Sequence, residues 1–178
     1  IEVAGNQITM VGTVAGCGMN LVGLTDATVI GGDDPSEKNT IDLTGNPAAD
    51  NGILNWWNRG SPLIQGNVVK AKGPDSAVWM FHNESTAAQT RLVGNTLEAT
   101  ESEGPNPGTG TGIFLTDDGG FLGDEPGMTY AVIQGNTVSG FARGIDLYQN
   151  AVSPVGGRLV QAVISDGNTI VGTEGSVG

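Results

Sequence analysis

The chain is poor in the residues that build most chemical sites. It has one cysteine, Cys17, and one histidine, His82. A single cysteine excludes an internal disulfide and a Cys-x-x-Cys metal pair. A single histidine excludes most zinc and haem arrangements, and any scheme that needs two imidazoles. Basic residues number 7 against 19 acidic ones, a net charge of −12. Such a chain repels phosphate backbones and anionic lipid surfaces, so neither nucleic acid nor membrane insertion is expected. No apolar run approaches the ~18 residues of a membrane span. Aromatics are 5% and charged residues 15% of the chain. Charge is too sparse, and a hydrophobic content of 38% too high, for a disordered tail.

Glycine is what the chain has in excess. It supplies 30 of 178 residues, more than double the usual ~7%. That is too much for a helical bundle or a doubly wound fold. Gly follows no three-residue period and Pro totals 8, which excludes collagen.

The glycines belong to an internal repeat. Its core is an apolar residue, one or two small or polar residues, Gly, Asn or Asp, then an apolar residue two places on. Copies are Val3-Ala4-Gly5-Asn6-Gln7-Ile8, Ile64-Gln65-Gly66-Asn67-Val68-Val69 and Leu92-Val93-Gly94-Asn95-Thr96-Leu97. It returns as Ile133-Gln134-Gly135-Asn136-Thr137-Val138 and Ile164-Ser165-Asp166-Gly167-Asn168-Thr169-Ile170. A weaker copy is Ile30-Gly31-Gly32-Asp33. The Asn or Asp positions are thus 6, 33, 67, 95, 136 and 168, between 27 and 41 residues apart.

A second element follows each of the first five copies, a small residue and then alternating apolar ones. It reads Gly18-Met19-Asn20-Leu21, Gly52-Ile53-Leu54-Asn55, Ala77-Val78-Trp79-Met80, Gly112-Ile113-Phe114-Leu115 and Gly144-Ile145-Asp146-Leu147. Alternation with period two predicts short strands, and Gly, Asn, Asp, Ser and Pro between them predict turns. Units of this length, made of strands without helix, fit the coils of a parallel solenoid. The expected fold is all-β: a single-stranded parallel β-helix of about six coils, one domain over 1–178. Inward columns are expected at Ile8, Val69, Leu97, Val138 and Ile170, and at Met19, Ile53, Val78, Ile113 and Ile145. Asn amides are expected to stack as a ladder. The first strand motif starts at Val3 and the last copy reaches Gly178 without a second strand. The domain is therefore expected to be part of a longer rod, or to meet other chains at its ends.

This repeat resembles the right-handed parallel β-helix superfamily, the pectate-lyase-like proteins. The handedness is implied by the resemblance alone. Asp117-Asp118 is similar to the Asp-Asp pair of polygalacturonases, but the His-Gly and Arg-x-Lys elements of those enzymes are missing. Val78-Trp79-Met80-Phe81-His82-Asn83 is similar to a pectate lyase strand, with Phe81 where that family has Asp.

Alternation puts Asn20, Leu54, Trp79, Phe114 and Asp146 outward on the second-element strand, followed by Val22, Trp56, Phe81, Thr116 and Tyr148. Most aromatics thus fall on one lateral face. Flat rings there suit stacking on sugars, so Trp56, Trp79, Phe114 and Tyr148 are expected to bind polysaccharide. Packing between subunits and coverage by the chain's own loops are the other uses of such a face. Asp117, Asp118 and Asp146 are the candidate catalytic carboxylates for a glycoside hydrolase or lyase, since glycoside hydrolysis takes two carboxyl groups ~5–9.5 Å apart. Hard oxygen ligands at Asp33, Asp34 and Asp124 are the candidates for calcium. The expected role is an extracellular or virion-surface module that engages polysaccharide. The alternative is a non-enzymatic rod that trimerises or stacks end to end.

Overall fold

The computed structural model describes residues 1–46, 48–71, 76–82, 89–99, 110–116, 128–148 and 159–172. The first coil is β1 (Glu2–Val3), β2 (Gln7–Val11) and β3 (Cys17–Val22). The second is β4 (Val29–Gly31), β5 (Thr40–Gly45) and β6 (Asn51–Trp56). The third is β7 (Leu63–Gln65), β8 (Val68–Ala71) and β9 (Ser76–Phe81). The fourth is β10 (Thr90–Val93), β11 (Thr96–Ala99) and β12 (Thr111–Thr116). The fifth is β13 (Met128–Gln134), β14 (Thr137–Ser139) and β15 (Arg143–Tyr148). A sixth coil contributes β16 (Leu159–Ile164) and β17 (Thr169–Val171).

Every pairing joins a strand to its counterpart one coil away, always in parallel. Three sheets result, two of six strands and one of five. The fold is the expected parallel β-helix. The described coils number five complete ones and two strands of a sixth, rather than six.

Alternation explains the interior. In the second sheet Ile8, Ile41, Val69, Leu97, Val138 and Ile170 pair in one inward column. In the third sheet Met19, Ile53, Val78, Ile113 and Ile145 form another. The first sheet adds Val3, Ile30, Ile64, Leu92 and Ile133. Ile30, Ile41, Ile53, Ile64, Leu92, Leu97, Ile113 and Ile133 are wholly shielded from water. Each such side chain contributes about 1.5–3 kcal/mol when taken out of water. No single coil could bury these residues; stacking does.

The corner between the first and second sheets is closed by asparagine. The Asn6 amide N–H and Nδ2 donate to Asn39 Oδ1, at 3.0 and 2.9 Å. Asn39 Nδ2 donates to Asn67 Oδ1 at 2.9 Å. Asn67 donates in the same way to Asn95, Asn95 to Asn136 and Asn136 to Asn168. The glycine before Asn67, Asn95, Asn136 and Asn168 has a positive φ between 63° and 87°. That left-handed conformation is open to Gly at little cost.

One rung of this ladder corrects the sequence reading. Asn39, not Asp33, occupies the second coil's corner. Residues 33–38 are inserted between Gly32 and Asn39, and Gly-Asp at 32–33 only imitates the repeat. Asp33 lacks the Nδ2 donor that each rung uses. The true signal is Asn39-Thr40-Ile41, which matches Asn95-Thr96-Leu97 and Asn136-Thr137-Val138.

The small residue at the second position of each third-sheet strand also has a physical reason. A Cβ on Gly52 would lie 2.6 Å from the Ala77 carbonyl oxygen and would collide with the Val69 side chain. A Cβ on Gly112 would lie 2.7 Å from the Gly144 carbonyl oxygen and collide with Val138. The third sheet therefore presses against the second at a distance that excludes most side chains here. Ala77 is the single methyl in the column, flanked by Gly52 and Gly112.

Candidate functional site

The outer face of the third sheet carries the aromatics in the expected register. Asn20, Leu54, Trp79, Phe114 and Asp146 pair in one column. Val22, Trp56, Phe81, Thr116 and Tyr148 pair in the next. The rings touch one another across three coils. Trp56 stacks on Phe81 at 5.5 Å with planes 11° apart. Trp79 meets Phe81 at 5.1 Å and Phe114 at 6.1 Å. Trp56 Nε1 donates to Asn20 Oδ1 at 2.8 Å, and Trp79 Nε1 donates to Thr116 Oγ1 at 2.9 Å.

The stripe is less open than alternation alone suggests. Phe81 is only 7% exposed, and Trp56, Trp79 and Phe114 are half-buried. Their polar ends are matched within the chain. Tyr148 stands at the far end of the face and is 55% exposed. Tyr130 and Phe141 are buried elsewhere.

Alternation turns Trp57 away from this face, yet it joins it. Its ring stacks beside Trp56 at 6.3 Å with planes 22° apart. It meets His82 edge-on at 6.3 Å, and the Arg59 guanidinium lies 5.9 Å from the ring centre. Trp57 is 38% exposed. The cause is backbone geometry at the corner that follows the third sheet. Val22, Trp56 and Phe81 are register partners, so Gly23, Trp57 and His82 stand above one another. All three have positive φ: 68°, 57° and 50°. Glycine adopts this conformation freely; a large side chain pays roughly 1–2 kcal/mol. The left-handed step breaks period-two alternation and keeps Trp57 beside Trp56. No sequence pattern announces an aromatic residue in that conformation.

The candidate catalytic carboxylates divide. Asp146 lies on the face next to Phe114, and Arg143 Nη1 donates to its Oδ2 at 3.1 Å. A pair this accessible is worth about 0–1 kcal/mol. Asp117 and Asp118 follow β12 in the chain and lie outside the described residues, as does Asp124.

Asp33 and Asp34 sit in the inserted segment. The Asp34 carboxylate accepts from the Ser36 amide at 2.9 Å and from Ser36 Oγ at 2.7 Å. These bonds hold the Asp34 carboxyl below its usual range. Both bonds fall on Oδ1. Among the described residues no cluster of three or more His, Cys, Asp or Glu is placed to hold a metal. Burial pushes the Cys17 thiol up against a weaker opposing hydrogen bond from Asn51. A raised thiol is a poor nucleophile at neutral pH.

The Asp42 carboxyl is likewise lowered, by hydrogen bonds from the Thr44 hydroxyl and amide. Both Asp34 and Asp42 bind a proton less readily folded than unfolded, where the value is about 3.9. Their stabilisation is complete above that value and disappears as pH falls through the lower folded value. In thermal melts the midpoint should drop through this acid window, and Asp42→Asn should flatten part of the drop. An unchanged slope in Asp42→Asn would refute the assignment.

Comparison with protein-family models, with curated proteins and with solved structures finds no match.

Proposed function

We propose that the chain is a polysaccharide-engaging module of an extracellular or virion surface, with the aromatic face of the third sheet as its platform. The pectate-lyase-like resemblance of the repeat is part of this proposal. One observation carries it: Trp57 is held in a left-handed backbone conformation, beside Trp56 and facing water, where the first coil has Gly23. Backbone strain at a large side chain that stays 38% exposed points to a use for that side chain. A flat, half-open indole continuous with other rings matches the apolar face of a sugar ring. The outer members, Trp57 and Tyr148, would contact the glycan. Trp56, Trp79 and Phe114 would form the packed base that keeps Trp57 in place. Asp146, paired with Arg143, would border the platform and hydrogen-bond sugar hydroxyls.

The role proposed for this face is binding. Hydrolysis or elimination would further require Asp117 or Asp118 beside Asp146. Calcium at Asp33, Asp34 and Asp124 is a separate proposal.

A glycan array followed by titration tests the platform. Trp57→Gly is the informative variant, because glycine suits the φ of that corner, as Gly23 shows. It should lower affinity for the bound glycan by about tenfold or more, as loss of an interface tryptophan commonly does. Circular dichroism should be unchanged. Equal affinity in Trp57→Gly, or an array with no glycan bound, would sink the proposal.

A further inference from the structure

We propose that two buried amides, Asn55 and Asn58, form a clamp that holds Trp57 in its left-handed conformation at the edge of the platform. They are positioning residues, and their use rests on the glycan-binding role proposed for that face. Asn55 stands where the fold takes apolar side chains. It occupies the inward column of the third sheet between Leu21 and Met80, with Leu115 beyond. Asn55 and Asn58 are both buried. Asn58 Nδ2 donates to Asn55 Oδ1 at 2.6 Å, and Asn55 Nδ2 donates to Asn58 Oδ1 at 3.4 Å. Trp56 and Trp57 are the residues enclosed between them. Asn58 also reaches the preceding and following turns of the solenoid. Its Oδ1 accepts from the Leu24 amide and its Nδ2 donates to the buried Thr90 Oγ1, each at 3.1 Å.

The backbone shows what the clamp does. The Gly23 amide donates to the Trp56 carbonyl at 3.2 Å, and the Arg59 amide to the Leu24 carbonyl at 2.9 Å. Left-handed Trp57 lies between these two bonds. There the Leu24 amide meets a side-chain oxygen, that of Asn58. Relaxing Trp57 to an extended conformation would carry the Asn58 amide away from Leu24, Asn55 and Thr90. Each would lose a partner at a site with little water, where unmade hydrogen bonds are costly. Several such losses outweigh one left-handed step, so the network fixes the φ of Trp57. The rings beneath Trp57 support its side chain; the amides fix its backbone.

The first coil supplies the comparison. At the equivalent positions it has Leu21, Gly23 and Leu24 in place of Asn55, Trp57 and Asn58. Glycine takes the left-handed conformation unaided, and Leu21 and Leu24 pack against the core. Both asparagines occur in the coil where an exposed indole replaces that glycine. His82 is left-handed in the third coil, with Met80 at the position of Asn55. It is buried, so packing holds it. A satisfied polar network in an apolar column specifies one conformation, which an exposed side chain cannot obtain from packing alone.

Asn55→Leu combined with Asn58→Leu restores the side chains of the first coil and tests the clamp. The pair should stay folded, with unchanged circular dichroism and a cooperative melt. In nitrogen-15 relaxation, the Trp57 indole Nε1–H, assigned by its absence in Trp57→Gly, should lose order. The Trp79 indole, bonded to Thr116, should keep its own. Asn58→Ala, a smaller change, should loosen the same Trp57 resonance. Affinity for the glycan found on the array should fall by about threefold to tenfold in the leucine pair, because only molecules with Trp57 in place bind fully. Added to Trp57→Gly, the leucine pair should lower affinity no further. An ordered Trp57 indole in both asparagine variants would overturn the proposal. So would an equal loss of affinity with and without Trp57, the mark of a general disturbance of the face. An array with no bound glycan would sink the role of the platform, and the Trp57 resonance would still decide the clamp.

Discussion

Asn95→Ala should cost about 3–5 kcal/mol, a large part of the 5–15 kcal/mol that keeps a domain folded. Asn95 is 1% exposed and lies at the middle of the ladder. Its Oδ1 accepts from the Asn67 amide and Nδ2 at 2.9 and 3.0 Å. Its Nδ2 donates to the Ile64 carbonyl and to Asn136 Oδ1, both at 2.9 Å. Truncation to Ala leaves the buried Asn67 amide N–H without a partner and takes one from the Ile64 carbonyl, while Asn136 Oδ1 keeps only the backbone amide. The cost of such orphaned groups exceeds the modest net gain of a hydrogen bond between exposed groups. For a chain of this size the melting midpoint should fall by about 10 °C, at roughly 2–4 °C per kcal/mol. Asn6→Ala is the internal control. Asn6 is exposed and, among the described residues, joins the ladder from one side only, so its loss should cost about 1 kcal/mol. Asn95→Asp should resemble Asn95→Ala, because a carboxylate cannot donate to Asn136. Denaturant titration of the three variants decides the matter. Equal small losses for Asn95→Ala and Asn6→Ala would mean that the ladder carries no energy.

Gly52→Ala should be nearly as damaging, although it adds one methyl group. The added Cβ would meet the Ala77 carbonyl oxygen at 2.6 Å and the Val69 side chain closer still. A backbone oxygen cannot rotate away. Either β9 shifts from β6 or the second and third sheets separate. Both disturb columns that are fully buried on each side. Overpacking that forces backbone movement typically costs about 1–3 kcal/mol and at times more. The upper part of that range is expected here, read again as a fall in melting midpoint. Ala77→Gly in the same column should cost only about 0.5–1 kcal/mol, the strand penalty of glycine. A Gly52→Ala variant as stable as the parent chain would show that the sheets have slack.

The architecture was legible because a solenoid writes the same constraint many times. Met19, Ile53, Val78, Ile113 and Ile145 pair as their alternation implied, and so do the outward partners Trp79 and Phe114. Redundancy ends where a single coil departs from the rest. The inserted residues 33–38 disguised the second corner, and Asp33 took the place that belongs to Asn39. A ladder rung must donate from its side chain as well as accept, and aspartate cannot. Trp57 was illegible for a different reason. Alternation assumes extended backbone, and a left-handed residue at a strand end cancels it. Exposure was equally hidden. Register places Phe81 outward, but neighbouring rings cover it, and ring-on-ring packing depends on rotamers that no linear pattern records.

The insertion at the second corner has a wider consequence. Ile30 still pairs with Ile64 before it, and Ile41 still pairs with Val69 after it. Six additional residues leave the neighbouring strands in step, because the asparagine re-anchors the chain wherever the bulge happens to end. The length of the excursion at this corner is thereby uncoupled from the register of the hydrophobic interior.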